Sequence, residues 1–451
     1  MARASMHGHW SSRIAFVLAA TGSAVGLGNV WKFPYMAGEN GGGAFVLVYL
    51  LCVLVIGWPV MMAEVMLGRR GRHSPVNTMR ILCEEERSSR FWTLIGWAGI
   101  VAGFLILSYY SVIAGWTLAY TVRAAVGVFD GITPEGVAEV FGALVADPER
   151  LLAWHTLFMA LTMVVVARGV EHGLERAVRF LMPALFLLLL LLVGYAMAQG
   201  QFGRAVAFLF RPDFSKLTGE AVLAAMGQAF FSLSLGMGAI MMYGSYLPQH
   251  ASIPRTTFTV AMSDTLVALL AGLAIFPIVF GEGLAPDQGP SLIFKTLALA
   301  FGHMPAGAFF GSLFFLLLVF AAWTSAISLI EPAVAWLVEN RSMRRVEAAV
   351  WAGTVAWLLG IGTILSFNAW SEITLWGRTF FDLLDYLTSN IMLPLGGLAI
   401  ALFAAWVMRE ASLREEIELA GGPFRLWHVV LRYVAPAGIV LVFLNVIGVF
   451  G

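Results

Sequence analysis

The chain has 451 residues, 60% of them hydrophobic and only 12% charged, with a mean hydropathy of +0.84. Soluble domains carry roughly 45–50% apolar and about 25% charged residues, so this composition belongs to a polytopic membrane protein. The formal net charge is zero and no long basic tract occurs, which leaves a nucleic-acid partner without an electrostatic footprint. Two cysteines, Cys52 and Cys83, make no disulfide framework, so stability must come from helix packing.

A bilayer core needs about 20 apolar residues per helix, and the apolar runs between polar loops predict eleven spans. They lie near 13–38, 42–67, 91–122, 152–168, 177–198, 222–247, 256–280, 307–338, 346–366, 383–408 and 427–450. With the N-terminus inside, nineteen of the 27 Lys and Arg residues fall on the cytoplasmic side and seven outside, leaving Lys32 within span one. That asymmetry predicts a multi-pass protein with a cytoplasmic N-terminus and an external C-terminus.

Span one contains GSAVGLGNVWKFP (22–34), in which Gly22, Gly26, Gly28, Asn29 and Lys32 interrupt an otherwise apolar run. A signal peptide is the competing reading, because Arg13, IAFVLAA and GSA follow the order of charged, apolar and cleavage regions. Against it stands a second copy of the glycine pattern. Span six reads FFSLSLGMGAIMMYGSY, with Gly236 and Gly238 spaced as Gly26 and Gly28 are, 210 residues later.

Paired Gly-interrupted spans point to an inverted-repeat transporter with its site where both helices unwind. The repeats would be spans one to five (13–198) and six to ten (222–408), with span eleven (427–450) appended, all in one domain of 1–451. Close helix packing also explains small residues in membrane helices. The adjoining polar residues favour a site: a broken helix leaves backbone groups unpaired, which only buried protein or a polar cavity tolerates. Freed carbonyls suit a cation, and a half-helix N-terminus suits a carboxylate. Asn29, Ser232 and Ser234 add oxygens at the two breaks.

These stretches resemble the neurotransmitter:sodium symporter family over nearly the whole chain. The match includes GSAVGLGNVWKFP, ENGGGAF (39–45), the Pro59 to Gly68 run with Glu64, SYYSVIAGWTL (108–118), GQAFFSLSLGMG (227–238), WTSAISLIEP (323–332) and FDLLDYLTSN (381–390). The resemblance implies an all-α, LeuT-like five-plus-five fold and Na⁺-coupled amino acid uptake across the bacterial inner membrane.

Carried over by residue, the first sodium site would comprise the Ala24 carbonyl, Asn29, Ser232 and Asp264, completed by the substrate carboxylate. The second would comprise the Gly22, Val25 and Ala321 carbonyls with the Thr324 and Ser325 hydroxyls. A carboxylate within a span costs about 2.5–3.5 kcal/mol on insertion scales, so Asp264 should have a partner and a task. Its alignment rests on the spacing to Gly272, and a slip of one residue would bring Ser263 instead. Relatives that use chloride place Asn near this position, so Asp264 implies chloride-independent transport. Glu64 matches a family carboxylate that braces the unwound part of span one.

The implied substrate pocket is Ala24, Gly26, Gly28, Ile106, Tyr110, Phe231, Ser232, Ser234, Met237, Ser325 and Leu329. Tyr110 and the amides near Gly26 and Gly28 would take the substrate carboxylate, with Phe231 as a lid. Amine-transporting relatives put Asp where Gly26 stands, so glycine favours a substrate bringing its own carboxylate. Apolar Ile106, Met237 and Leu329 point to a neutral, hydrophobic amino acid. Lys32 and Asp385 match the external gate pair, with Lys replacing the usual Arg and its rigid fork; snorkelling to the interface is the plainer role for Lys32. Trp10 and Glu339 match the internal gate, but His7 stands where Arg is usual, leaving Arg3 or Arg13 as substitutes.

No Walker loop, zinc-spaced His cluster or catalytic triad appears, so an enzyme, a primary pump and an organic cofactor have no support. Two alternatives share these features: a Na⁺ channel lined by the broken helices, and a non-transporting amino acid sensor.

Overall fold

The computed structural model describes residues 8–198, 201–283, 292–446 and 449; His7 and Arg3 lie outside them. Nine uninterrupted helices among the described residues are long and apolar enough to cross a membrane: Gly43–Gly71, Arg90–Ala125, Pro148–Ala167, Val170–Ala198, Ile253–Gly281, Gly307–Arg341, Arg345–Ser366, Phe380–Val407 and Gly421–Asn445. Two predicted spans are interrupted. Span one is Arg13–Ala24 followed by Gly28–Glu39, bent by 53°, and span six is Gly219–Ser232 followed by Ala239–Ser245.

Local chemistry sets several ends. Ser12, Thr218 and Asp147 accept hydrogen bonds from the backbone N–H groups of Ala15, Ala221 and Arg150 at 3.1, 3.0 and 3.0 Å, the usual N-cap device. Thr379 and Asp382 cap span ten reciprocally. Proline occupies the first turn of the helices at Pro148 and Ile253, where its missing N–H costs nothing.

Span five starts earlier than predicted, at Val170 rather than 177. Gly169 takes φ +85°, and at Gly173 an added Cβ would lie 2.1 Å from the Val165 carbonyl oxygen. Glycine there lets a π turn begin directly against the end of span four, and the polar EHGLE segment hid that start in the apolar pattern. Short helices at Pro75–Glu85, Pro134–Val145, Phe202–Phe210 and Glu410–Ile417 were also unforeseen, being too short or too charged for a span-length apolar window.

Small residues bring the breaks against their supports. A Cβ at Gly103 would lie 2.8 Å from the Leu329 oxygen, and one at Gly99 3.0 Å from the Gly238 nitrogen, so span three touches both span eight and the break of span six. Gly68 and Gly244 likewise press span two against the second half of span six, with Cβ clashes of 1.9 and 2.6 Å against backbone oxygens. Such close backbone approach is how membrane helices pack without a solvent-driven core.

Candidate functional site

Both breaks are held open by side chains. After Ala24 the chain turns extended at Val25. The freed Gly26 N–H donates to Asn29 Oδ1 at 3.1 Å, and the Leu27 N–H donates to the Tyr110 hydroxyl at 3.3 Å. The amide that faces Tyr110 is therefore that of Leu27, between Gly26 and Gly28, while the Gly26 amide is satisfied by Asn29. In span six, Ser234, Gly236 and Gly238 take φ of +54°, +80° and +75°. A Cβ at Gly236 would lie 2.5 Å from the Leu393 oxygen, so only glycine fits. Glu64 Oε2 accepts from the Gly236 N–H at 3.1 Å. Glu64 thus braces span six, not span one as expected, because its turn of span two packs against the second half of six.

Beside the first break lies a buried polar cluster. Asn29 Nδ2 donates to Asp264 Oδ1 at 2.7 Å and to the Ser232 hydroxyl and the Asp264 carbonyl at 3.1 Å each. Ser232 in turn donates to Asp264 Oδ2, and the Tyr49 hydroxyl sits 3.2 Å from Ser232 Oγ. Asp264 is wholly buried, whereas Ser263 is half-buried and makes none of these bonds. No Lys or Arg pairs with Asp264 among the described residues. A buried carboxylate surrounded only by neutral groups is an incomplete ion pair, and the residues fit an alkali cation that would complete it.

A second cluster faces the other side of span one. Ser325 Oγ lies 3.1 Å from the Val25 oxygen, 3.3 Å from that of Ser23 and 3.5 Å from that of Gly22. Thr324 Oγ1 lies 3.1 Å from the Ala321 oxygen, and a Cβ at Gly22 would come within 3.2 Å of Thr324 Cβ. Ser325 thus meets the Gly22 and Val25 carbonyls and Thr324 packs on Gly22, while the Thr324–Ala321 contact lies within span eight.

Between the clusters lies a cavity of about 110 Å³. Ala24, Gly26, Gly28, Ile106, Tyr110, Phe231, Ser234, Met237, Ser325 and Leu329 line it; Ser232 does not, being turned toward Asp264. A Cβ at Gly26 would lie 2.6 Å from Ser325 Oγ and 3.0 Å from the Tyr110 oxygen, so no side chain fits there. The Phe231 ring lies against Gly28, 2.8 Å from where a Cβ would stand. Sequence reasoning missed Ser23, Trp31, Tyr109 and Ile113 in the lining. Ser23 donates to Ser328 at 2.8 Å, and its place between Gly22 and Ala24 was the one available signal.

Among the described residues the outer gate pair is placed but not joined. Lys32 and Asp385 both border the cavity, yet no ion pair links them among the described residues. Lys32 Nζ sits 4.2 Å from the centroid of the Phe231 ring, and Asp385 accepts from Ser389 at 2.9 Å and Tyr109 at 3.3 Å. At the opposite end Trp10 is buried, donating from its indole to the Tyr243 oxygen at 3.2 Å and lying edge-on to Tyr243 and Tyr246. Glu339 accepts from the Ser74 N–H at 2.8 Å and from Asn77 at 2.6 Å. A carboxylate bonded to the aromatic plug is Glu331, which takes the Tyr246 hydroxyl at 2.7 Å and Arg345 at 2.5 Å. It was legible as an acidic residue inside span eight, in the IEP of a stretch already singled out.

Helices broken at paired glycines, with oxygen-bearing clusters beside an enclosed cavity, define a membrane transporter of solutes with cations. The model of the sodium:neurotransmitter symporter family matches residues 7–128 and 145–450. The uncharacterized sodium-dependent transporter YhdH of Bacillus subtilis (strain 168) is 41% identical over 444 residues, covering 98% of each chain. The uncharacterized sodium-dependent transporter MJ1319 of Methanocaldococcus jannaschii is 32% identical over 433 residues, covering 90% of this chain and 83% of its own. The crystal structure of MhsT in complex with L-phenylalanine superposes with a TM-score of 0.89 at 42% identity, covering 97% of this chain and 99% of that one. The chain belongs to the sodium:neurotransmitter symporter family; it is a LeuT-like, sodium-dependent symporter and not an enzyme.

Proposed function

We propose that this symporter takes up a neutral, hydrophobic amino acid with two Na⁺ ions, by alternating access around the breaks of spans one and six. The observation that carries the reading is Asp264: buried, bonded only to neutral Asn29 and Ser232, and adjoining the freed backbone of span one. One Na⁺ would sit with Ala24, Asn29, Ser232 and Asp264. The other would sit with Gly22, Val25, Ala321, Thr324 and Ser325. The substrate carboxylate would displace the Tyr110 hydroxyl from the Leu27 amide and accept from both, and the lack of room at Gly26 leaves that place to the substrate's own carboxylate. Apolar Ile106, Met237 and Leu329 would receive the side chain. The L-phenylalanine complex of MhsT supports a substrate of this class.

Spans one to five and six to ten would act as inverted repeats, with the Arg-rich face and the N-terminus in the cytoplasm and the C-terminus outside. The buried Trp10 plug at one end of the cavity favours this reading over an open Na⁺ channel.

A thermal-shift screen of amino acids tests it. A hydrophobic amino acid at a hundred times its Kd should stabilise the protein by about 2.7 kcal/mol in Na⁺ and by little in K⁺. Stabilisation equal in K⁺, or by none of the amino acids, would remove the reading. Because Asp264 supplies the negative charge, uptake should be independent of chloride. Asp264→Asn should abolish uptake or make it respond to chloride, and unchanged chloride-free uptake by that variant would show that Asp264 does not balance the ion.

A further inference from the structure

A groove of about 210 Å³ lies apart from the substrate cavity, where spans four, five and eight meet on the Arg-rich face. Its lining carries Arg168, His172 and Arg176 on the polar side and Phe180, Leu181 and Trp323 on the apolar side. Gly173 makes the recess: with no side chain, the π turn that opens span five lies directly on the Val165 carbonyl. π turns inside helices frequently mark functional places.

The groove is amphipathic. Arg168 and Arg176 are exposed, and neither has an ion pair among the described residues. Two nearby carboxylates are engaged elsewhere. Glu175 accepts from Ser11 and from Arg179, the latter at 2.6 Å, and Glu331 holds Arg345; Glu171 is exposed. On the apolar side, Phe180 is 68% exposed and continues into Phe320, ring to ring at 6.4 Å. The Trp323 indole N–H is buried without a partner among the described residues.

We infer that this groove binds an anionic phospholipid, its phosphate between Arg168 and Arg176, an acyl chain along Phe180 and Leu181, and an ester carbonyl within reach of the Trp323 indole. Basic pockets between membrane helices bind anionic headgroups in this manner. The inside bias of basic residues accounts for arginines on this face but not for a recess between two unpaired ones with an apolar side and an orphan indole donor. Trp323 precedes Thr324, so a bound lipid would press on the backbone next to the second oxygen cluster.

The test is native mass spectrometry of the full chain released from nanodiscs of mixed phosphatidylcholine and phosphatidylglycerol. The wild type is expected to retain phosphatidylglycerol selectively. Each charge near the surface counts about fivefold, so the Arg168→Ala/Arg176→Ala double variant should lose retention by roughly thirtyfold. Phe180→Asn, which leaves the charges in place, should also lose lipid, and Arg80→Ala, an exposed arginine elsewhere on the same side, should not. Thermal melting of each variant checks that it is folded. Wild-type retention by a folded double variant would overturn the assignment, as would equal loss with Arg80→Ala. Displacement of the lipid by millimolar glycerol phosphate, with Phe180→Asn unaffected, would instead make the groove a free-anion site.

Discussion

The two ends of the substrate cavity are closed by different chemistry. At the Trp10 end an indole and two tyrosine rings interlock, and behind them Tyr246, Glu331 and Arg345 form a buried, directional chain from span six through span eight to span nine. Ser11 is pinned to Glu175 at the start of span five. At the Lys32 end a single ammonium rests over Phe231, and Asp385 is held by two hydroxyls rather than by the cation it should meet. A buried ion pair that loses one partner costs about 3–5 kcal/mol, whereas a cation over a ring contributes about 0.5–2 kcal/mol. The Lys32 end is therefore the one that rearranges at small cost, and Lys32 and Asp385 already border the same space.

The largest expected effect follows from stranding a charge at the tight end. Glu331→Ala leaves Arg345 with no carboxylate in a nearly closed environment and should cost about 3–5 kcal/mol, read as a lowered melting temperature in detergent. The double replacement Glu331→Leu/Arg345→Leu should recover most of that loss, since removing both charges also removes the stranded one. A single variant that melts with the wild type would mean that the Glu331 chain carries no stability. Trp10→Ala should cost nearly as much, about 3–5 kcal/mol for a buried indole. It should also speed amide hydrogen exchange across Ala239–Ser245, whose Tyr243 and Tyr246 neighbours it supports. Exchange unchanged in that helix would show that the plug does not hold the second half of span six.

This contrast also marks what could be read from the sequence. The breaks were legible because paired glycines with polar neighbours stand out in apolar spans, whereas the Asp264–Asn29–Ser232 cluster, the Ser325 cluster and ten pocket residues were carried over from the family resemblance position by position. Their partners across the fold were not legible. That Glu64 reaches Gly236 depends on how closely Gly68 and Gly244 let two helices approach. That Lys32 lies over Phe231 rather than on Asp385 is a matter of conformation, which a residue pattern does not encode. Ser232 was placed in the pocket by the family resemblance; here the helix ends at Ser232, and its side chain turns to Asp264. The Glu331–Arg345 pair was missed because its partner lies on a different span.

The smallest expected effect comes from the loose end and bears most directly on the comparison. Lys32→Gln keeps a polar side chain of similar reach while removing the charge over Phe231, so its effect on the melting temperature should correspond to less than about 1 kcal/mol, the lower part of the cation–π range. Amide exchange across Gly28–Glu39 should nevertheless quicken, because the half-helix loses the Lys32 contact with the Phe231 ring. Lys32→Arg should do the reverse: a planar fork can engage Asp385 with two parallel bonds, slowing exchange in the same segment. If Lys32→Gln destabilised the protein as much as Glu331→Ala does, both ends would be equally fixed, and the Lys32 side could not be the one that yields.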